Sequence, residues 1–393
     1  MSRLDTTTLW LWLVLLGVGL VAVASASMGT AASLYGDAFH HVIRHGVYLV
    51  IAGAVFLSIS AVPAASWVAW HRLAFLLAVA LLALVLVPGV GREVNGSVRW
   101  IALGPVSLQP SEPVRLLLVV YLAGYVQQHR EAVTLSFIGL VRPLLWLAFP
   151  AALLLSQPDL GSVVVIFAAA AALLFLAGAR ILHLTAIGLS AIALLALLVS
   201  VQDYRMQRLE AFLNPWAPDV QFGSGYQLTQ ALIAFGRGEW FGVGLGEGLQ
   251  KLFYLPEAHT DFIFAVIAEE TGVFGALVLC GLFLALVVRG LWHGRIAQRR
   301  DAAGAAALAY GAALMLGIQA LISLGVNTGM LPTKGLTLPL VSYGGNSLIV
   351  SSALVALLVR VAWENAEHAE SPRRARTRAR ALDRAGAAPK VIA

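Results

Sequence analysis

Long apolar stretches alternate with short polar ones along almost the entire chain. A helix needs about 20 apolar residues to cross a bilayer, and stretches of this kind predict ten membrane-spanning helices. They cover roughly residues 8–28, 43–62, 71–90, 111–128, 137–156, 159–178, 181–201, 261–292, 302–326 and 341–362. The pattern is typical of an all-α polytopic membrane protein, with a long connection, residues 202–260, between the seventh and eighth helices.

The composition agrees with this class. Of 393 residues, 60% are hydrophobic and only 12% are charged, whereas a soluble domain has roughly 25% charged residues. The single cysteine, Cys280, lies in an apolar stretch, so the sequence has no disulfide framework and no cysteine metal site. The first apolar stretch is interpreted as a retained signal-anchor helix because many spans follow it. No nucleic-acid partner is expected.

The distribution of basic residues predicts the orientation. Ten spans place both termini on one side, and most of the 26 Lys and Arg residues fall on that side, which the positive-inside rule assigns to the cytoplasm. We expect residues 1–362 to form a single domain in the cytoplasmic (inner) membrane and residues 363–393 to be a basic, disordered cytoplasmic tail. The long connection and the polar ones at 91–110, 156–159 and 327–340 then lie on the outer face.

Two outer connections have internal structure. The segment 202–260 predicts two short amphipathic helices, DYRMQRLEAFLNP and YQLTQALIAFG, that lie in the headgroup layer. The glycine run FGVGLGEG that follows them is expected to let the loop bend back over the membrane. In GREVNGSVRWIALGPVSLQPSEPVRL (91–116), turn dipeptides and alternating polarity predict a small hairpin.

Charged residues gather in these connections. Arg99, beside Trp100, is either an interfacial anchor or a phosphate ligand. Glu112 and Arg115 are three residues apart on a helix and close enough to pair, and Arg115 alternatively faces a phosphate. Asp159 starts the sixth helix, where an aspartate is a good cap, so capping and function both remain open.

Asp261 follows Glu257 and His259 at the start of the eighth helix. If that helix begins near residue 260, small residues line the face below Asp261, which is typical of tight packing or of a lipid groove. A carboxylate near lipid is costly, so a functional role is favoured over simple interaction with the helix dipole. Glu269, about 12 Å deeper on the same helix, is a further ionisable group there.

The segment NTGMLPTKGLTLPLVSYGGNSLIV (327–350) completes the set. Lys334 lies in its Pro- and Gly-rich loop, as a plain surface lysine or as a cation that faces a pyrophosphate. Ser342 opens the Ser-Tyr-Gly-Gly sequence that interrupts the entry of the last helix. Irregular backbone near a membrane is tolerated where it lines a cavity.

Five segments resemble the SEDS family of peptidoglycan glycosyltransferases, in family order between about residues 91 and 350. They are GREVNGSVRWIALGPVSLQPSEP, QPDLG, GSGYQLTQALIAFGRGEWFGVGLGEG, LPEAHTDFIFAVIAEE and LPTKGLTLPLVSYGG. LPEAHTDFIF and LPTKGLTLPL resemble the cell-division branch more than the elongation branch. This chain has Arg115 where the family usually has lysine, Asn346 in place of a serine, and Thr271 in place of a leucine.

The resemblance implies that the chain polymerises lipid II into glycan strands on the outer face of the membrane during cell division. The essential aspartate of the family falls on Asp261, and the acids of the QPSE and QPDLG motifs fall on Glu112 and Asp159. The implied partners are a transpeptidase of the class B penicillin-binding type and other division proteins at the division site, together with lipid II, polyprenyl-linked glycan and membrane lipid.

The expected reaction fits these residues. A sugar hydroxyl displaces a polyprenyl diphosphate with inversion, which needs one base and a means to hold the phosphates. Asp261 is the predicted base, and a divalent cation, Mg²⁺ or Mn²⁺, is a candidate to bridge it to the substrate. No organic cofactor is expected. The predicted substrate-binding residues are Arg99, Glu112, Arg115, Asp159, Glu257, His259, Lys334 and Ser342.

Two other functions explain part of the pattern. A flippase or transporter of lipid-linked precursor accounts for ten helices, but it predicts polar residues through the whole depth of the membrane. A non-catalytic scaffold for other division proteins leaves the cluster of carboxylates and cations unexplained.

Overall fold

The computed structural model describes residues 5–94, 97–104, 106–201, 203–218, 220–333 and 335–386, and most of them are helical. The first half of the chain contains α1 Thr6–Tyr35, α2 His40–Ala61, α3 Ala64–Ala69, α4 His71–Val85, β1 Gly91–Val94, β2 Ser97–Leu103, β3 Val106–Leu108, α5 Ser111–Gln128, α6 Arg130–Leu135, α7 Phe137–Ser156, α8 Leu160–Leu176 and α9 Ile181–Ser200. The second half contains α10 Asp203–Leu213, α11 Tyr226–Gly238, α12 Ile263–Arg299, α13 Ala303–Asn327 and α14 Gly345–Gly386.

Each predicted span coincides with a helix. Among the described residues, seven helices are long and apolar enough to cross a membrane. The other three that match predicted spans are shorter or less apolar: α4 has 15 residues, α5 has 18 and α8 has 17. The all-α polytopic class is confirmed, and the number of ten crossings stays a prediction.

The connections at 91–110 and 202–260 also contain the elements that the sequence predicts. α10 and α11 match the two amphipathic segments. The predicted hairpin is a three-stranded antiparallel sheet in the order β1-β2-β3, with Arg92 opposite Trp100 and Ile101 opposite Leu108. The side-chain amide of Asn346 donates to the carbonyl of Ser107 at 2.8 Å, which fastens the sheet to the start of α14.

The centre of the bundle is formed by α13, which packs against α5, α8, α12 and α14. In the most apolar 18 residues of α13, 67% of the positions are buried, whereas the corresponding share for α9 is 0%. Alanine and glycine make up much of α13, and small side chains let neighbouring membrane helices approach closely. α13 therefore brings the site-bearing starts of α5, α8 and α12 to its own C-terminal end.

Helix α12 is broken at Gly272, which has φ 68° and ψ −169°. The break separates a half-helix, residues 263–271, from a long helix, residues 273–299. Four backbone hydrogen bonds join this break to residues 239–244: Val273 N to Glu239 O at 2.9 Å, Phe274 N to Trp240 O at 3.2 Å, Val243 N to Glu269 O at 3.0 Å and Gly244 N to Glu270 O at 3.1 Å. Orphan groups at both broken ends thus gain partners.

The glycine run explains how the two segments come so close. A Cβ added to Gly242, which has φ 81°, would lie 2.1 Å from the carbonyl oxygen of Glu270. No side chain fits at that distance, and positive φ favours glycine. The run therefore closes against the broken helix, a contact that its sequence pattern alone did not indicate.

One expectation about a helix end was wrong. α12 begins at Ile263 and not near residue 260, because Thr260 N and Phe262 N both donate to the carbonyl of Glu257 and fold the preceding residues into turns. At the other end of the chain, α14 extends as a helix to Gly386, and the disorder expected for the tail 363–393 stays a prediction. This tail is rich in alanine and arginine, which both favour helix.

Candidate active site

Asp261 lies in the turn before α12, facing the loop between α13 and α14. Its side chain is half-buried, and a Cβ added to Gly335 of that loop would lie 3.3 Å from its Oδ2. Because Asp261 precedes the helix, its carboxylate does not share a helical face with the small residues that follow it. The glycine at 335 leaves room in front of the carboxylate.

The surroundings of Asp261 change its acidity. Burial, with a smaller contribution from the negative charge of Glu257, raises the pKa of Asp261 to about 7 against the opposing positive charge of Arg208. A carboxylate with a raised pKa binds a proton more tightly and is a stronger base than an ordinary aspartate. Near neutral pH a large fraction of Asp261 is deprotonated and able to accept a proton.

Asn327, at the end of α13, fixes the backbone around Asp261. Its fully buried side chain donates from Nδ2 to the carbonyls of Asp261 at 2.8 Å and Ser323 at 2.9 Å. Its Oδ1 accepts from the backbone N–H of Ala265 at 3.1 Å. Sequence reasoning missed this residue, although an asparagine at the end of an apolar helix is a signal for an interhelical hydrogen bond.

His259 packs among aromatic rings. Its ring centroid lies 5.0 Å from that of His41 on α2 and 5.4 Å from that of Tyr343, and the N–H of Tyr343 donates to the His259 carbonyl at 2.9 Å. Burial lowers the pKa of His259, with a smaller opposing effect from Glu257. A ring that is packed against two others and has a lowered pKa supports the turn that carries Asp261 better than it attracts a phosphate.

The side chains of Glu257 and Ser342 have local partners. Glu257 is exposed, and its Oε2 accepts from the hydroxyl of Thr260 at 2.6 Å. The buried Ser342 hydroxyl accepts from the backbone N–H of Leu338 at 2.8 Å. Of these two predicted site residues, only Glu257 is placed to act on Asp261 through its charge.

Glu112, Arg115 and Asp159 come together inside the bundle. Arg115, 1% exposed, donates to Glu112 at 3.2 Å and to the hydroxyl of Ser162 at 2.9 Å. Ser162 in turn donates its hydroxyl to Asp159 at 2.6 Å and its N–H at 3.0 Å. The pairing of Glu112 with Arg115 and the capping by Asp159 are thereby confirmed, and Ser162 is the link that the sequence did not reveal.

This buried network reaches the loop in front of Asp261 through Gln319. The Oε1 of Gln319 accepts from Arg115 at 2.8 Å, and its Nε2 donates to the carbonyl of Thr337 at 3.1 Å. Thr337 lies two residues after Gly335 in the same loop. The network therefore supports the site from within the bundle, and Arg115 is bonded to protein groups.

Arg99 is bonded to main chain. Its Nε donates to the carbonyl of Gln157 at 2.7 Å and its Nη2 to that of Pro158 at 2.6 Å. It thus joins strand β2 to the turn before Asp159. Lys334, the remaining predicted cation, lies outside the described residues.

In the described part of the chain, the side chains of Glu269 and Glu270 bind residues of the glycine-rich connection and of α1, and none of their hydrogen bonds or ion pairs is with Asp261. Glu269 pairs with Arg237 at 3.0 Å and accepts from backbone N–H groups of residues 249 and 250. Glu270 pairs with the buried Lys251 at 2.5 Å and accepts from Ser25 at 2.7 Å. These pairs hold residues 237–251 against the half-helix.

Among the described residues, no group of three His, Cys, Asp or Glu side chains is arranged to hold a metal ion. Asp261 and Glu257 nevertheless interact through their charges. Mg²⁺ is commonly bound by one or two carboxylates together with substrate phosphates. A divalent cation at Asp261 stays a prediction, with Glu257 as the second carboxylate near it.

Comparison with known proteins decides the family. Residues 6–367 match the family model FtsW/RodA/SpoVE, described as a cell cycle protein. The chain belongs to this family. The FtsW/RodA/SpoVE match spans almost all the described helices, and it confirms the resemblance seen in the five sequence segments.

Curated relatives of this family are similar over nearly their whole length. The probable peptidoglycan glycosyltransferase FtsW of Pseudomonas fluorescens (strain SBW25) is 49% identical over 344 residues, which are 88% of this chain and 84% of the relative. The protein of the same description from Halomonas elongata is 51% identical over 360 residues, covering 90% and 89%.

Solved structures share the fold. A chain from a peptidoglycan synthase complex, studied for the structural coordination of polymerization and crosslinking, superposes with a TM-score of 0.75 at 30% identity and covers 93% of this chain and 99% of that one. The rod shape determining protein RodA of Thermus thermophilus gives a TM-score of 0.66 at 30% identity, covering 91% and 96%. The chain is thus a multi-pass membrane protein of the FtsW/RodA/SpoVE fold.

Proposed function

We propose that this chain is a peptidoglycan glycosyltransferase that polymerises lipid II, with Asp261 as its base. The observation that carries the proposal is the Asp261 carboxylate, half-buried, facing Gly335 and with a pKa raised to about 7. The relatives described as FtsW glycosyltransferases support the reaction class. Identity of 49–51% to these relatives, against 30% to RodA, supports the cell-division branch.

The reaction is an inverting displacement. The hydroxyl oxygen of the acceptor sugar attacks the anomeric carbon of the donor, and the bond from that carbon to the polyprenyl diphosphate breaks. The hydroxyl proton passes to Asp261, and the electron pair of the broken bond leaves with the diphosphate. One base is sufficient because the donor already has a good leaving group, unlike the substrate of a glycosidase that uses two carboxylates.

The departing diphosphate needs positive charge nearby. Arg115 is buried in its network and Arg99 is bonded to two main-chain carbonyls, so this role falls to the exposed Arg208, whose charge acts on Asp261, and to Lys334, which remains a prediction. A divalent cation held by Asp261 and Glu257 would supply further neutralisation of the phosphates when bound. Asn327 keeps the Asp261 turn in place while the proton moves.

The proposal includes the cellular setting of the protein. The protein lies in the cytoplasmic membrane at the division site, with both termini in the cytoplasm and the Asp261 end of the bundle outside. The positive-inside distribution of Lys and Arg supports this orientation. A partner transpeptidase of the class B penicillin-binding type is supported by the neighbour that comes from a complex of polymerization and crosslinking.

The test uses the protein in lipid nanodiscs with its transpeptidase, lipid II and Mg²⁺ or Mn²⁺. Wild type is expected to produce glycan strands, Asp261→Asn none, and the exposed Asp301→Asn at the other end of the bundle a wild-type amount. Thermal melting confirms that each variant is folded. Polymer from the Asp261→Asn variant would show that Asp261 is not the catalytic base. Absence of polymer from folded wild type would contradict the glycosyltransferase function. It would favour the flippase function, which a vesicle assay of lipid II transport would then test.

A further inference from the structure

An open cleft of about 400 Å³ lies between α10, the start of α11, and the loops before α12 and after α13. Small-ligand sites have volumes of roughly 300–1,000 Å³. Gln207 and Arg208 of α10 form one wall, and Gln227 of α11 forms another. Pro256 and Thr333 also line the cleft.

Three segments that line the cleft also carry residues that lie near Asp261 or act on it. Arg208 lines the cleft and also acts electrostatically on Asp261. Its Nη1 donates to the carbonyl of Thr333 at 3.2 Å, and Thr333 lies two residues before Gly335, which faces Asp261. Pro256 directly precedes Glu257. A ligand in the cleft is therefore adjacent to the proposed base.

The lining chemistry selects the class of ligand. Gln207 and Gln227 offer amides, Ser224 and Tyr226 offer hydroxyls, and Phe222 contributes a ring that is 80% exposed. Among the described lining residues, Arg208 alone carries a charge. A diphosphate would call for more cations and an acyl tail for apolar walls. Amides and hydroxyls pair with neutral hydroxyl and acetamido groups, and an exposed ring packs against the C–H face of a sugar.

We propose that this cleft binds N-acetylhexosamine units of the glycan strand next to the reacting sugar. The proposal rests on the proposed polymerase function. The shape supports it as well, because an open cleft lets a growing polymer pass, whereas an enclosed cavity suits a ligand that is bound whole.

A binding experiment tests the cleft without the reaction. The probe is the β-1,4-linked tetramer of N-acetylglucosamine, titrated into wild type and Asp261→Asn in nanodiscs and followed by saturation-transfer NMR. Both should bind it. The double variant Gln207→Ala/Gln227→Ala should bind about tenfold more weakly, as expected for the loss of two hydrogen bonds. Phe222→Ala, an exposed position that does not threaten folding, should also weaken binding. Gln128→Ala, an exposed glutamine at the end of α5, is the matched control.

Product length gives the second readout. With lipid II, the double variant should make strands several-fold shorter than wild type, whereas Gln128→Ala should make strands of wild-type length. No binding of the tetramer to wild type, or equal affinity and equal strand length in the double variant, would overturn the cleft proposal. Failure of wild type to polymerise, with binding intact, would instead overturn the enzyme function alone.

Discussion

Two neighbours of opposite charge act on Asp261. Burial already raises its pKa, Glu257 raises it further, and Arg208 lowers it. The residue therefore titrates near pH 7, and a general base is most effective when its pKa lies near the pH of the reaction. The balance of these two charges is open to measurement.

The pH profile of polymerisation should report this titration. Since the base must be deprotonated, activity should fall about tenfold per pH unit below a midpoint near pH 7 and level off above it. Glu257→Gln removes a negative charge and should move the midpoint to lower pH. Arg208→Gln removes a positive charge and should move it to higher pH. The measurement is the initial rate at saturating lipid II between pH 5 and 9. Shifts in the same direction for both variants would contradict the assignment of the midpoint to Asp261.

At the scale of the element, the half-helix 263–271 is held at both ends. Asn327 fixes its start to α13, and the segment 239–244 joins its end through backbone hydrogen bonds. Two substitutions, each with a matched control, separate these two attachments.

Gly242→Ala should destabilise the protein by more than Gly246→Ala. Both glycines have positive φ, 81° and 89°, so both alanines carry a similar backbone cost of about 1 kcal/mol. Only at Gly242 would the added Cβ meet a backbone atom, the carbonyl oxygen of Glu270 at 2.1 Å, while Gly246 has nothing within 4 Å. Thermal melting in nanodiscs should show the larger loss for Gly242→Ala, together with reduced polymerisation. Equal melting temperatures would show that the segment does not press against the broken helix.

Asn327→Ala should lower kcat with a modest loss of stability. It leaves the N–H of Ala265 and the carbonyl of Asp261 without their partner, at a cost of about 1–3 kcal/mol for a buried group. The control is Thr328→Ala, whose hydroxyl bonds only within its own helix, to carbonyls of residues 324 and 325. Rates and melting curves are measured side by side. A wild-type kcat in Asn327→Ala would contradict the positioning role.

These elements show what the sequence could predict. The spans, both amphipathic helices and the pair Glu112–Arg115 follow from local periodicity and spacing. The break in α12 does not, because the apolar pattern continues across Gly272 and its partners lie in another connection. The contact of Asn327 with Asp261 joins residues 66 positions apart, and no local pattern encodes such a distance.

At the scale of the whole molecule, the buried network of Arg115 connects three helices. It joins Glu112 of α5, Ser162 of α8 and Gln319 of α13 within the bundle. A buried ion pair contributes little net stability over a well-packed apolar pair, but removal of one partner leaves the other charge unpaired.

Arg115→Met should therefore destabilise the protein by about 3–5 kcal/mol. The double variant Glu112→Gln/Arg115→Met, which leaves no unpaired carboxylate at Glu112, should recover part of that loss. Thermal melting of wild type, Glu112→Gln, Arg115→Met and the double variant gives a double-mutant cycle. A double variant less stable than Arg115→Met would show that Glu112 is stabilised by groups other than Arg115.

The break at Gly272 has a mechanical consequence. A long membrane helix tilts when the thickness of the surrounding lipid changes, and an unbroken α12 would act as a lever on its first turn. Here the half-helix is attached to α11 through Arg237 and to α13 through Asn327, and the first N–H groups of the long helix 273–299 are bonded to residues 239 and 240 instead of to the half-helix. A tilt of the long helix therefore acts on that connection before it reaches the turn that carries Asp261.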